Sequence, residues 1–235
     1  MFFRVKELDE YWGIKPRGVL HVGAHMAEEL DEYVAAGWNE ITWIEAQPDK
    51  VECVRRKVPG HHKVIQAAVW DSAGVILDFH ISNNSQSSSL LDFGTHSELH
   101  PHIKVIETLQ VTTTTLDDLV TNSKDIDFIN LDLQGVELRA LRGFTNGLKH
   151  LKWIYTEVNK EDVYRDCDKI QELDAFLVEH SFYRVATRWW ANEGWGDALY
   201  FRTDVDLPNS MIKEIARYAT STLWEIKRIV RVVLR

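Results

Sequence analysis

The 235-residue chain has little cysteine: Cys53 and Cys167 are its only two. Their number and separation build neither a disulfide framework nor a Cys-x-x-Cys metal pair. Twelve glycines and five prolines are too few for a linker-dominated or collagen-like chain. Long apolar runs are missing as well. No stretch of 18 residues is free of charge, so nothing reads as a membrane span. The opening segment MFFRVKELDEYW reaches a charge at Arg4, before a signal-like apolar run develops. Basic residues are outnumbered, 27 Lys and Arg against 36 Asp and Glu. The formal charge of −9 would repel a nucleic-acid backbone across the main body. These absences predict a soluble cytoplasmic domain of enzyme size that does not bind nucleic acid across its main body.

What is present is ample core material: 45% of residues are apolar, and 25 are Phe, Trp or Tyr. The length suits one domain with an appendage. Short β-rich runs alternate with helix-period segments, the pattern of a parallel sheet wrapped by helices. Strands are expected at 18–23, 41–45, 63–70, 75–81, 104–114, 127–133 and 153–158, with an antiparallel pair at 182–188 and 197–202. Helices are expected at 26–36, from Pro48 onward, at 136–144 and at 169–179. In the first of these, Met26, Leu30, Tyr33 and Val34 share one side, and Gly37 provides the stop. A polar connection at 82–102 is long enough to imply a functional role.

Residues 19–25 (VLHVGAH) run from a strand into a helix. Gly23 at that turn, followed by Ala24 and His25, lets a ligand approach the backbone. Twenty-two residues after Gly23, Glu45 ends the second strand, where a carboxylate can accept hydrogen bonds from both ribose hydroxyls. An adenosine-containing cofactor is expected. The full G-x-G-x-x-G fingerprint is missing, and Glu28, Glu29, Asp31 and Glu32 would repel a diphosphate. They suit a phosphate-free cofactor carrying a sulfonium and an ammonium, which describes S-adenosylmethionine and not NAD or ATP. Asp31 and Glu32 also read as a solvated helix face; Glu28 is open to either role.

The segments VLHVGAH (19–25), WIEAQPD (43–49), AAVWD (67–71), NNSQSSSLLDFGTH (83–96), TTTLDDL (113–119), FINLDLQGVELRALRGF (128–144), IYTEVN (154–159) and GWGDALYFR (194–202) occur in an order and spacing that resembles the FkbM family of S-adenosylmethionine-dependent methyltransferases. The resemblance spans residues 17–202. It implies a class I methyltransferase (Rossmann-like) fold: a seven-stranded, mostly parallel sheet with its last strand antiparallel and helices on both faces. It also implies methyl transfer, usually to a hydroxyl oxygen. Ala67 and Ala68 would then flank an adenine, and Gln47 would hold the ribose edge. Where the first strand often carries an acidic residue, this chain has His21, so contact with the methionine part of the cofactor passes to His25 and Glu28.

An alcohol acceptor must lose its proton, and a placed base contributes about 10²–10⁴-fold to such a step. Asp132 and Glu157 end neighbouring strands and are the catalytic candidates. With Asn159 they form an oxygen-rich set of the kind that holds Mg²⁺ or Ca²⁺, a reading ranked behind a metal-free site. Glu137 reads as an orienting partner of Asp132 or as a surface helix charge. Asn84, Gln86 and Ser88 suit recognition of a polyol. His96, His100 and His102 lack metal-ligand spacing and read mostly as solvated loop residues. Among the aromatics, Trp195 is assigned to substrate or lid, and Trp189 and Trp190 to packing.

Pro208 marks the one boundary, dividing a methyltransferase domain (1–206) from a tail (207–235). The tail carries six basic and two acidic residues, leaving −13 on the body. An apolar stripe at helical spacing predicts a basic amphipathic C-terminal helix, suited to an anionic membrane surface or to self-association. The leading function is an O-methyltransferase acting on a hydroxyl of a sugar, glycan or glycosylated metabolite. The alternatives are a carboxylate or nitrogen acceptor on the same fold, and a non-catalytic cofactor-binding module.

Overall fold

A computed structural model describes residues 1–208. In chain order it begins with α1 (Val5–Glu10), β1 (Val19–Val22), α2 (Leu30–Ala35), β2 (Ile41–Glu45), α3 (Pro48–Lys57) and β3 (Lys63–Gln66). Next come β4 (Ala68–Val69), β5 (Ile76–Ser82), α4 (His96–Leu99), β6 (Val105–Thr114) and α5 (Leu116–Leu119). The domain closes with β7 (Phe128–Leu131), α6 (Glu137–Arg142), α7 (Thr145–Leu148), β8 (Trp153–Asn159), α8 (Ile170–Glu179), β9 (Phe182–Trp189) and β10 (Trp195–Arg202). The expected tail helix lies outside the described residues. Among those described, no helix is long and apolar enough to cross a membrane.

Seven strands form one sheet in the order β3-β2-β1-β7-β8-β10-β9, with β10 antiparallel to both its neighbours. This is the class I methyltransferase architecture. Side chains alternate across each strand, so both faces of the sheet are packed. Trp43, Phe128, Tyr155 and Leu199 join the core under α1 and α2. Ile44, Ile129, Ile154 and Ala198 join the core under α6 and α8. That double burial explains why the strands read as unbroken apolar runs. Phe144 is completely buried in the second core; truncation to alanine there would cost about 3–5 kcal/mol.

Two expectations change. The strand foreseen at 63–70 divides, because Ala67 leaves the main sheet and Ala68–Val69 pairs with β6. The pair β5 and β6, antiparallel to each other, belongs to this second, three-stranded sheet. The helix foreseen from Met26 starts only at Leu30. Before it, Gly23, His25 and Ala27 hold positive φ values of 87°, 43° and 51°, which no helix accommodates. Glu28 accepts from the Met26 N–H at 3.1 Å, and Lys57 donates to the carbonyls of Met26 and Ala27. The backbone is therefore satisfied as a turn. Met26 and Val34, expected on the buried stripe, are exposed, while Ala24 and Ala27 are buried.

Candidate active site

β1 is hydrogen-bonded to β2 on one side and to β7 on the other. The chain departs in opposite directions from these neighbours, and the loops beyond their carboxyl ends leave a crevice between them. A cavity of about 720 Å³ opens there. The structure brings every sequence-derived candidate onto its lining: Gly23, Ala24, His25, Glu28, Glu45 and Gln47; Ala67 and Ala68; Asn84, Gln86 and Ser88; Asp132, Glu157 and Trp195. Asn159 is buried and is not part of the lining. Among the described residues, no three His, Cys, Asp or Glu side chains gather as metal ligands.

At the β1 end, Gly23 leaves no room for a side chain. A Cβ there would meet the carbonyl oxygen of Asp132 at 1.8 Å. Its N–H and that of Ala24 both donate to the Ile44 carbonyl. Glu45 is buried, and its two oxygens accept the backbone N–H groups of His25 at 2.7 Å and Gln47 at 2.8 Å. Burial raises its pKa against the pull of those donors. Glu45 thus locks the β1 turn to the start of α3. The His25 ring lies 2.6 Å from Glu28 and 2.8 Å from the Ser85 hydroxyl, joining this turn to the loop after β5. Burial acts to raise the pKa of Glu28, but His25 and the local N–H groups outweigh it, bringing the group down to about 2. The sequence left the role of Glu28 open; its carboxylate lines the cavity while engaged within the turn. His21 is buried against Trp43, and burial lowers its pKa to about 4, so it is neutral at pH 7.

At the β7 end, the Gln134 side-chain amide donates to Asp132 Oδ1 at 2.6 Å and to Glu157 Oε2 at 2.9 Å. The Tyr164 hydroxyl donates to the Gln134 carbonyl oxygen. Gln134 sits at φ 56° and Gly135 at φ 108°. A Cβ on Gly135 would come within 2.8 Å of the Cys167 Cβ. Asp132 is open to solvent through the cavity, whereas Glu157 is buried. The protein walls around the cavity desolvate both groups and raise both pKa values, and the charges of Asp132 and Glu137 drive Glu157 further upward. Glu137 is not a surface charge, and its link to Asp132 is through its field and not through a hydrogen bond. It is buried and accepts the backbone N–H groups of Leu133 and Gly135, which shapes the loop carrying Gln134.

The remaining wall joins the loop after β5 to the β9–β10 hairpin. His96, expected to be solvated, is buried 3.2 Å from the Ser87 hydroxyl and stacked on Phe93. Trp189 and Trp190, expected to pack, are both exposed, and Trp190 lines the cavity. Asp197 lies opposite Glu157 on β10 and accepts the Phe2 N–H at 2.7 Å and the Tyr155 hydroxyl. Burial pushes its pKa up to about 7. Seven carboxylates line the cavity: Glu28, Glu29, Glu45, Asp132, Glu157, Glu193 and Asp197. Among the described residues, no lysine or arginine does. Sequence reasoning missed Gln134 and Tyr164, and gave Asp197 only as part of the aromatic-polar surface around Trp195. Of the two missed, only Gln134 left a trace, as a polar residue before glycine in the NLDLQG segment.

A family model described as the methyltransferase FkbM domain matches residues 21–184, more than half of the chain. No curated protein matches it significantly. Among solved structures, the chain is similar to M. capricolum TrmK in complex with S-adenosyl-homocysteine, at 10% identity and TM-score 0.48, over 91% of this chain and 74% of that one. It is also similar to the glycopeptide N-methyltransferase MtfA complexed with S-adenosyl-L-methionine, at 11% identity and TM-score 0.44, over 85% and 93%. A SAM-dependent methyltransferase from Aquifex aeolicus matches at 14% identity and TM-score 0.43, over 84% and 89%.

Proposed function

The chain belongs to the FkbM methyltransferase family, and from that premise we propose that it methylates a hydroxyl oxygen of a sugar, glycan or glycosylated metabolite, using S-adenosylmethionine. The observation that supports this reading is the pairing of one solvent-open carboxylate, Asp132, with one buried carboxylate, Glu157, through the Gln134 amide. That pair stands beside the Gly23 turn and the Glu45 carboxylate, in the same cavity.

The residues present fit the cofactor. Glu45 keeps a lone pair on each oxygen after accepting two N–H groups, which suits two ribose hydroxyls. Gly23 and Ala24 keep the adjoining backbone approachable. Ala67 and Ala68 are small enough to admit a flat base, with Gln47 at the ribose edge. The acidic lining accommodates a sulfonium and an ammonium and opposes phosphates. When bound, S-adenosylmethionine supplies an electrophilic methyl group.

Asp132 is the base in this reading. Its Oδ1 is held by Gln134, so Oδ2 takes the acceptor's hydroxyl proton. Burial and two neighbouring carboxylates raise the Glu157 pKa and oppose its ionisation. It shapes the field around Asp132, the more exposed of the two carboxyl groups. Asn84, Gln86 and Ser88 supply polar contacts for the acceptor on the facing loop. A carboxylate acceptor would enter against seven acidic side chains; a nitrogen acceptor would depend less on Asp132.

The test is methyl incorporation. Protein incubated with methyl-labelled S-adenosylmethionine and a panel of glycosides should yield a base-stable methyl ether. Asp132→Asn should abolish most of it while S-adenosylhomocysteine binding persists. A base-labile ester, an N-methyl product, or unchanged turnover in Asp132→Asn would overturn the hydroxyl assignment.

A further inference from the structure

At the cavity mouth three aromatic rings lie nearly parallel. Trp190 and Trp195 have centroids 5.7 Å apart and planes 7° apart, and Phe2 stacks on both at 5.4 Å. The arrangement is fixed by the hairpin. The Trp190 N–H donates to the Trp195 carbonyl, and Asn192 and Gly194 turn the chain between them at positive φ. Trp190 is 47% exposed, although it is part of the lining. An aromatic residue this exposed on a cavity lining offers surface for a ligand beyond its stacking partners.

Polar groups border this face. Glu193 Oε2 accepts the Trp195 indole N–H at 3.1 Å and lies 3.0 Å from His100 Nε2. A flat apolar surface with a carboxylate and an imidazole at its edge matches a pyranose. A pyranose laid on the indole by its C–H face would present its hydroxyls to that polar edge. The lining also limits what the ring can carry. Seven carboxyl side chains line the cavity with no lysine or arginine among the described lining residues, and those that are ionised give it a negative field. A further anion adds to that field, and a cation relieves it.

We propose that Trp190 and Trp195 are the docking face for the acceptor's sugar ring, and that the ring accepted there is uncharged or cationic, with phosphate and carboxylate substituents excluded. This rests on the methyltransferase reading and narrows its substrate class to phosphate-free glycosides and amino sugars.

The experiment uses the full chain loaded with S-adenosylhomocysteine, whose binding is first measured by calorimetry. Saturation-transfer NMR then compares methyl glucoside, glucosamine, glucose 6-phosphate and glucuronate. Methyl glucoside and glucosamine should bind at least tenfold more tightly than the two anions. Trp190→Ala should weaken both by fivefold or more, with S-adenosylhomocysteine affinity unchanged within about twofold. Trp195→Phe, which keeps an aromatic face, should weaken them less. Equal or tighter binding of the anions, no sugar signal at all, or indifference to Trp190→Ala would overturn the docking face. Each of those results leaves the methyltransferase reading standing if S-adenosylhomocysteine binds; failure to bind it brings down both.

Discussion

The side-chain amide of Gln134 donates to Asp132 at 2.6 Å, and its second N–H reaches Glu157 at 2.9 Å. The Asp132 contact favours the ionised form and opposes the effect of burial. Replacing Gln134 with leucine removes that support, so the Asp132 pKa rises and less base is ionised at pH 7. The acid limb of the kcat/KM profile should move to higher pH, and turnover at pH 7 should fall about tenfold. A variant with lower turnover but an unmoved acid limb would refute the positioning role.

Asp132 and Glu157 should respond unequally. Asp132→Asn removes the base and should reduce kcat by about 10²–10⁴-fold. Glu157→Gln replaces a carboxyl group whose ionisation burial opposes, and the loss should be under about tenfold. Comparable losses in single-turnover rates would assign proton acceptance to the pair and not to Asp132.

Glu45 offers a cofactor-binding test independent of turnover. Glu45→Gln exchanges a charged acceptor for a neutral one at two ribose hydroxyls. With charge-assisted hydrogen bonds worth about 1.5–3 kcal/mol each, S-adenosylhomocysteine affinity should fall about 10–100-fold by calorimetry. Unchanged affinity would remove Glu45 from the cofactor site.

Gly23→Ala places a methyl group 1.8 Å from the Asp132 carbonyl oxygen, at φ 87°. Either β1 and β7 separate or the turn is rebuilt. Denaturant unfolding should show a loss of about 3 kcal/mol, accompanied by weaker S-adenosylhomocysteine binding. Full stability in the variant would mean that the close approach is absent in solution.

His21 sets an acid-side stability dependence. Burial lowers its pKa from 6.5 to about 4, so between those pH values the unfolded chain binds a proton that the folded chain does not. Stability from this group is present above pH 6.5 and is lost as pH falls toward 4, by about 3 kcal/mol. His21→Gln does not titrate there. The stability gap between parent and variant, measured by urea unfolding at pH 7, 5.5 and 4, should shift in the variant's favour on acidification. A gap constant with pH would show that His21 is not buried and neutral.

Much of the scaffold is legible in the residues themselves. The runs that became β1, β2, β7 and β8 are short, apolar and rich in β-formers, and Pro48 and Gly37 bound helices for local reasons. Asp132 and Glu157 could be placed at strand ends because such a sheet presents its carboxyl ends to ligands. The turn before α2 was misread for an equally local reason. Met26, Leu30, Tyr33 and Val34 fit a helical period, but period cannot register that Glu28 and Lys57 satisfy the same backbone as a turn. Trp190 packs on Phe2 and Trp195 as the sequence suggests, but its exposure on the cavity lining is not legible there, because composition gives an aromatic residue no address.

The sequence alone determined the α/β alternation, the Gly23 turn, the acidic cofactor end and the family. These are encoded in neighbouring residues, where propensity and spacing act over a few positions. Only the tertiary structure decided that Gln134 joins Asp132 to Glu157, that Asp197 faces Glu157, and that Trp190 borders the cavity. Those relationships join residues up to tens of positions apart, or depend on backbone geometry that no local pattern specifies. Burial, which governs the protonation of Glu157, Asp197 and His21, exists only once the sheet and its covering loops have closed around them.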